Sequence, residues 1–220
     1  MRAVIFDLWD TIVLWSPGGH EDVHVRMAEH AGVEPHALLR AFDDTHLERS
    51  TGPLLENVRS VLTTLGIDEA HADTFADLRR EHTRKALVPR EGTIETLEEL
   101  RRRGFRRGLI SVCSGDVEDV WDETAFAPHF DDVVLSCAVG MRKPDPRIYR
   151  LACERLGVEP EECIFVGDGA NDELAGAERV GMKAVCILRP DLEKPIWPEA
   201  EGWEPTIRSV PEVLDLLERP

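Results

Sequence analysis

After about residue 88 the chain alternates short apolar runs with segments in which apolar side chains recur every three or four positions. The first pattern reads as buried strand and the second as one face of a helix. Glu91 to Arg103 sets Ile94, Leu97 and Leu100 on one face and stops at Gly104. Leu109 to Cys113 reads as a strand, Asp116 to Thr124 as a helix, and DDVVLSC as a strand. Pro146 to Leu156 keeps Ile148, Leu151, Ala152 and Leu156 at helical spacing, and Gly157 ends it. ECIFVGD is a strand, Asn171 to Val180 a helix and KAVCILR a further strand, while VIF near the start supplies the first. Apolar strands separated by helices predict an α/β fold: a Rossmann-like parallel sheet with helices on both faces.

Residues 15–87 follow a different rhythm. Leu54, Leu55, Val58, Val61, Leu62 and Leu65 fit a helix closed by Gly66, Pro35 stands at a helix start, and Asp68 can cap the helix carrying Phe75 and Leu78. No segment there reads as a strand. The pattern predicts an all-helical cap at 15–87, entered through the Ser16-Pro17-Gly18-Gly19 hinge, with the α/β core built from 1–14 and 88–220.

At 220 residues the chain is long enough for one large domain, or for one carrying a smaller insertion. A formal charge of -17 argues against nucleic acid, whose phosphates are gripped by basic patches, and no stretch approaches the apolar length of a membrane span. Asp7 and Asp10 fall where the uncharged core of a secretory signal would run. The five cysteines are odd in number and form no CxxC pair. Buried free thiols in a reducing compartment, the cytoplasm, are therefore expected.

Ligands of open parallel sheets bind beyond the carboxyl ends of the strands, so the residues that follow each strand carry the chemistry. Asp7 and Asp10 follow the first strand, Ser111 and Ser114 the second, Lys143 stands beyond DDVVLSC, and Asp168 and Asp172 follow CIFVG. Together these groups suit phosphoryl transfer to or from a small phosphorylated metabolite. An ionised Asp7 can attack phosphorus, and Asp10, its pKa raised by its neighbour, can serve as acid and base. Asp168, Asp7 and a main-chain carbonyl offer oxygen ligands to Mg2+, which would relieve repulsion between carboxylates and phosphate. Ser111 and the N–H groups of the next helix start can hold phosphate oxygens, and Lys143 adds positive charge opposite the carboxylates. Only four of the 26 basic residues are lysines, which gives Lys143 added weight.

In this order the motifs resemble the haloacid dehalogenase-like hydrolases that carry a helical cap after the first strand. Asp7-Leu8-Trp9-Asp10-Thr11 is similar to the first motif, Ser111 to the second, Lys143-Pro144 to the third and Gly167-Asp168-Gly169-Ala170-Asn171-Asp172 to the fourth. The resemblance implies Asp7 as nucleophile, Asp10 as acid and base, and magnesium held by Asp7, the Trp9 carbonyl and Asp168, with Asp172 beside it. It implies that Thr11 buttresses the loop. Val112 departs from the asparagine of many relatives, and Trp9 is bulkier than the usual residue. Relatives that cleave carbon–halogen or carbon–phosphorus bonds lack an aspartate at the position of Asp10, because a halide needs no proton as it leaves. Asp10 therefore points to a phosphate ester, with a sugar-phosphate mutase as the alternative. Cap contacts to substrate are expected from His20, His46 and Arg49.

One competing motif stands in the helical stretch. His20-Glu21-Asp22-Val23-His24 matches the H-E-x-x-H pattern of zinc proteases, with His30 at the spacing of a third ligand. Met27 occupies the place of the glycine that ends the helix in that pattern, and a histidine-rich, solvated cap helix is the expected outcome.

Overall fold

A computed structural model describes residues 1–14 and 21–218. Six strands form one all-parallel sheet: β1 Ala3–Phe6, β2 Arg106–Ser111, β3 Asp132–Leu135, β4 Cys163–Gly167, β5 Lys183–Ile187 and β6 Thr206–Ile207. Their order across the sheet is β3-β2-β1-β4-β5-β6, which puts β1 in the middle. Between β1 and β2 lie the helices α1 Glu21–Ala31, α2 Pro35–Asp44, α3 His46–Arg49, α4 Leu54–Leu65, α5 Ala72–Ala86 and α6 Thr93–Arg102. The rest are α7 Gly115–Val120, α8 Ser136–Val139, α9 Pro146–Leu156, α10 Glu173–Arg179 and α11 Val213–Glu218. Among the described residues, no helix is long and apolar enough to cross a membrane.

Side chains alternate across a strand, and here both faces are apolar and covered. Val4 and Phe6 of β1, with Ile164 and Val166 of β4, pack on one face under α6, α7 and α11. Ala3, Ile5, Cys163 and Phe165 point to the other face, under α9 and α10. The approach of α9 depends on Gly108, where a Cβ would lie 2.8 Å from Leu156 Cδ1. The helices of the 21–86 stretch enclose a third apolar cluster, including Met27, Leu38, Phe42, Val58 and Phe75. They carry no strand, in keeping with the sequence pattern. Gly66 ends α4 in the left-handed region, and Asp68 accepts from the Ala70 N–H at 2.9 Å in the turn that leads into α5. The Ser16-Pro17-Gly18-Gly19 hinge lies outside the described residues.

The helical stretch rests on the carboxyl edge of the sheet. Ser136 Oγ donates to the Ser50 carbonyl at 2.7 Å, and the Gly52 N–H donates to the Cys137 carbonyl at 2.9 Å. Arginines of α5 meet acidic residues in and just after α7: Arg79 with Asp116 at 3.0 Å, Arg80 with Asp119 at 2.7 Å and Arg84 with Glu123 at 2.6 Å. The outer two lie at the surface, with Arg80 half-buried, and contribute little each, whereas Arg79–Asp116 is buried, so losing either partner would strand a charge.

Several expected boundaries shift. β2 ends at Ser111 and β3 at Leu135, after which Ser136–Val139 turn into α8. The helix expected from Asn171 starts at Glu173, because Asn171 and Asp172 are both left-handed (φ 53° and 56°). Edge strand β6 is two residues long, too short for any alternation to announce it.

Arg90 fixes the coil after β1 to the far side of the sheet. Its buried guanidinium donates to the carbonyls of Thr11 (3.3 Å), Leu188 (2.8 Å) and Arg208 (2.5 Å). Arg90→Met would leave three carbonyls to find other donors and is expected to lower the unfolding free energy by about 2–4 kcal/mol. Urea denaturation checks this as a reduced midpoint with an unchanged slope.

Candidate active site

The chain coils immediately after β1. The Asp7 N–H donates to the Val166 carbonyl at 2.8 Å, continuing the pairing of β1 with β4. The N–H groups of Ile12 and Val13 then turn back to the Leu8 carbonyl at 3.0 and 2.9 Å. Asp10 sits at φ 53°, a left-handed conformation that aspartate tolerates better than most side chains. An extended strand would have sent Asp7 and Asp10 to opposite faces; the coil brings both to the wall of one cavity. Trp9 lies between them, partly buried, and its ring packs against the core beneath.

Lys143 reaches this wall from the loop before α9. Its buried ammonium donates to Asp7 Oδ1 and to Glu173 Oε2, and it stands 5.3 Å from the centre of the Phe165 ring. Thr11 Oγ1 donates to the other Asp7 oxygen at 3.3 Å. Asp168 follows β4, where Trp197 Nε1 donates to Oδ2 at 2.6 Å and the Ala170 N–H to Oδ1 at 3.1 Å. Gly167 admits Glu173 to the same point, since a Cβ there would collide with the Glu173 carboxylate. The other Glu173 oxygen accepts from the Gly169 N–H at 3.0 Å.

Asp7, Asp168 and Glu173 thus present carboxylate oxygens within 4.8 Å of one another, all three buried. The Lys143 ammonium bonds two of the three, Asp7 and Glu173. Burial opposes the Lys143 charge, but Asp7 and Glu173 outweigh it and hold its pKa above the ordinary lysine value. Burial, reinforced by Asp7, pushes the Asp168 carboxyl up to about 6. Burial likewise drives Glu173 well above the carboxylate range, against the pull of Lys143. An oxygen-only donor set with surplus negative charge fits a hard divalent cation.

Asp7, Trp9, Asp10, Lys143 and Asp168 line one cavity of about 610 Å³, and His46 and Arg49 line it from the helical side. Ser111 stands just behind the wall formed by Val112, Cys113 and Ser114. It is fully buried, and its Oγ has no hydrogen-bond partner among the described residues. Asp172 is exposed and outside the carboxylate cluster, and after the left-handed turn at Asn171–Asp172 it is Glu173 that joins it. His20 lies outside the described residues. Of the protease pattern, His24 is buried 4.8 Å from the Phe42 ring, whereas His30 is exposed and meets His71 at 5.0 Å. Among the described residues they form no metal cluster.

Asp10 has a partner that the strand-end pattern did not single out: Arg189 Nη1 donates to Asp10 Oδ1 at 2.8 Å. Arg189 closely follows β5, and the strand-end reasoning that found Asp7 and Asp168 could have found it too. Glu173 and Trp197 gave no comparable signal. One is shifted by a left-handed turn, and the other comes from a loop far along the chain.

A family model for haloacid dehalogenase-like hydrolases matches residues 1–181. The chain is 31% identical over 204 residues to the glyceraldehyde 3-phosphate phosphatase of Methanopyrus kandleri, covering 86% of this chain and 84% of that one. It is 33% identical over 209 residues to (S)-2-haloacid dehalogenase 4A of Burkholderia cepacia, again over 86% and 84%. Among solved structures, a HAD phosphatase from Thermococcus onnurineus superposes with a TM-score of 0.73 at 26% identity, over 99% of this chain and 98% of the other. The order of motifs at the strand ends and these similarities lead to one conclusion: the chain belongs to the haloacid dehalogenase-like hydrolases.

Proposed function

We propose that this protein is a magnesium-dependent phosphatase that hydrolyses a small-molecule phosphate monoester through an aspartyl-phosphate, with the helical stretch as a cap over the substrate. The observation that carries the reading is Asp7 at the end of β1, its two oxygens engaged by Lys143 and Thr11, sharing a cavity wall with Asp10. The phosphatase name of one relative supports it, while the dehalogenase relative leaves the leaving group to be decided. Asp10 decides it: an alkoxide leaving phosphorus needs a proton, and a halide does not.

In this mechanism a carboxylate oxygen of Asp7 attacks phosphorus while the ester P–O bond breaks, and Asp10 gives its proton to the departing oxygen. Asp10 then takes a proton from water as that water attacks phosphorus, which releases phosphate and restores the Asp7 carboxylate. Arg189 holds Asp10 in place through both steps. Lys143 and the otherwise unpartnered Ser111 hydroxyl are suited to hold phosphate oxygens. Asp7, Asp168 and the Trp9 carbonyl would bind the metal, with Glu173, not Asp172, as the buried carboxylate alongside. When bound, magnesium offsets the repulsion between these carboxylates and the phosphate. Water excluded beneath the cap would strengthen each of these interactions. Five cysteines, all buried free thiols, fit a cytoplasmic setting.

Hydrolysis of p-nitrophenyl phosphate with magnesium, with chelator and in Asp7→Asn tests the assignment. Activity should fall to background with chelator and by at least about a thousandfold in Asp7→Asn. Full activity in the variant would exclude Asp7 as nucleophile, and interconversion of sugar phosphates that outpaces phosphate release would make the protein a mutase.

The carboxylate cluster also predicts a pH signature. Folded Asp168 binds its proton more tightly than an unfolded aspartate, so its contribution to stability is present below its ordinary pKa of 3.8 and is lost as pH rises through about 6. In chelator, the stability of the wild type relative to Asp168→Asn should therefore fall by about 2–3 kcal/mol between pH 4 and pH 7. Urea unfolding of both proteins measures it, and magnesium at pH 7.5 should raise the melting temperature of the wild type more than that of Asp168→Asn.

A further inference from the structure

The helical side of the cavity carries a charge that the phosphatase mechanism does not use. Arg49 closes α3, is 8% exposed and lines the cavity. Its guanidinium lies 4.6 Å from the centre of the Phe42 ring. Nη2 donates to the Phe42 carbonyl at 2.5 Å and Nε to Thr45 Oγ1 at 3.1 Å. These two bonds fix the fork and leave Nη1 without a hydrogen bond among the described residues. No carboxylate among them lies within ion-pair distance of Arg49.

Arg79, the other guanidinium near the Phe42 ring at 5.9 Å, is already neutralised by buried Asp116. Asp116, itself bonded to Arg79, and exposed Asp43 on the cavity wall act on Arg49 only through space, and burial and then Arg79 outweigh them and draw the Arg49 pKa down to about 10. His46 and His82 are no substitute for a counter-ion. Partial loss of solvent and then the nearby arginines lower both below the ordinary histidine value. One surplus buried cation therefore faces the cavity from the helical side, while the reacting groups line it from the sheet. A buried guanidinium without a counter-ion is costly, and an anion entering the cavity removes that cost. The single uncompensated charge and planar fork match a monoanionic carboxylate; a second phosphate would bring nearly twice the charge.

We infer that the substrate is a small phosphorylated carboxylic acid, with its carboxylate on Arg49 and its phosphate between Asp7 and Lys143. This rests on the phosphatase reading and adds the specificity contact. Arg49 is then a substrate-binding residue, Phe42 its platform, and Val112 and Val117 the apolar wall along the carbon chain.

Three glycerol-derived phosphates that differ only at C1 isolate this contact: 3-phosphoglycerate (carboxylate), glyceraldehyde 3-phosphate (aldehyde) and glycerol 3-phosphate (alcohol). The wild type should favour 3-phosphoglycerate over the other two in kcat/KM. Arg49→Gln should reduce that preference by about tenfold to hundredfold, chiefly through KM, and Arg49→Lys should retain part of it. Equal kcat/KM for the three in the wild type would overturn the inference whether or not the variants fold. So would an Arg49→Gln protein that loses the same factor on every substrate. Failure on p-nitrophenyl phosphate as well would overturn the phosphatase reading itself, and the two failures are thereby separate.

Discussion

One ammonium shared between two buried carboxylates organises this molecule. Lys143 bonds both Asp7 and Glu173, with Asp168 close enough to complete a set of three acidic groups around a single positive charge. Isolated, each carboxylate would protonate rather than pay the desolvation cost of its charge. Lys143 sets an opposite charge at hydrogen-bond distance from Asp7, and the three acidic groups together present an oxygen-only set that suits a divalent cation. Removing the lysine would leave Asp7 buried beside two other carboxyl groups. Binding and reactivity thus draw on the same electrostatic imbalance.

The sheet makes that imbalance possible. Parallel strands end together at one edge, so Asp7, Ser111 and Asp168 come from three adjacent strands without any of them leaving its register. Left-handed residues do the fine placement: Asp10 turns the coil after β1, and Asn171 and Asp172 turn Glu173 inward after β4. Arg90 ties that first coil to the loops beyond β5 and β6 through three carbonyls. The helical layer adds the second half of the cavity and brings cations to face the carboxylates below.

Much of this was written in the sequence, for physical reasons. A buried parallel strand must be apolar throughout, so β1, β4 and β5 stood out, and polar residues at their carboxyl ends marked Asp7, Asp10 and Asp168 at once. Helices with an apolar stripe and a terminal glycine, such as α4 and α9, were equally plain. What escaped depends on three-dimensional detail that periodicity does not carry. Glu173 replaces Asp172 because two consecutive residues are left-handed. Trp197 donates to Asp168 from a loop far along the chain, and Arg189 pairs with Asp10 across 179 positions. Phe42 reads as an ordinary core aromatic until the guanidiniums beside its ring are seen. The width of Trp9 finds a simple account, since its ring covers the edge of the core.

The central claim is that Asp7, paired with Lys143, forms a covalent bond to phosphorus. The most direct test is the stereochemical course of hydrolysis with a phosphate ester made chiral at phosphorus by oxygen isotopes and sulfur, the released thiophosphate being analysed for configuration. Two successive in-line displacements, first by Asp7 and then by water, predict net retention. Net inversion would mean that water attacks the ester directly, and would contradict the account.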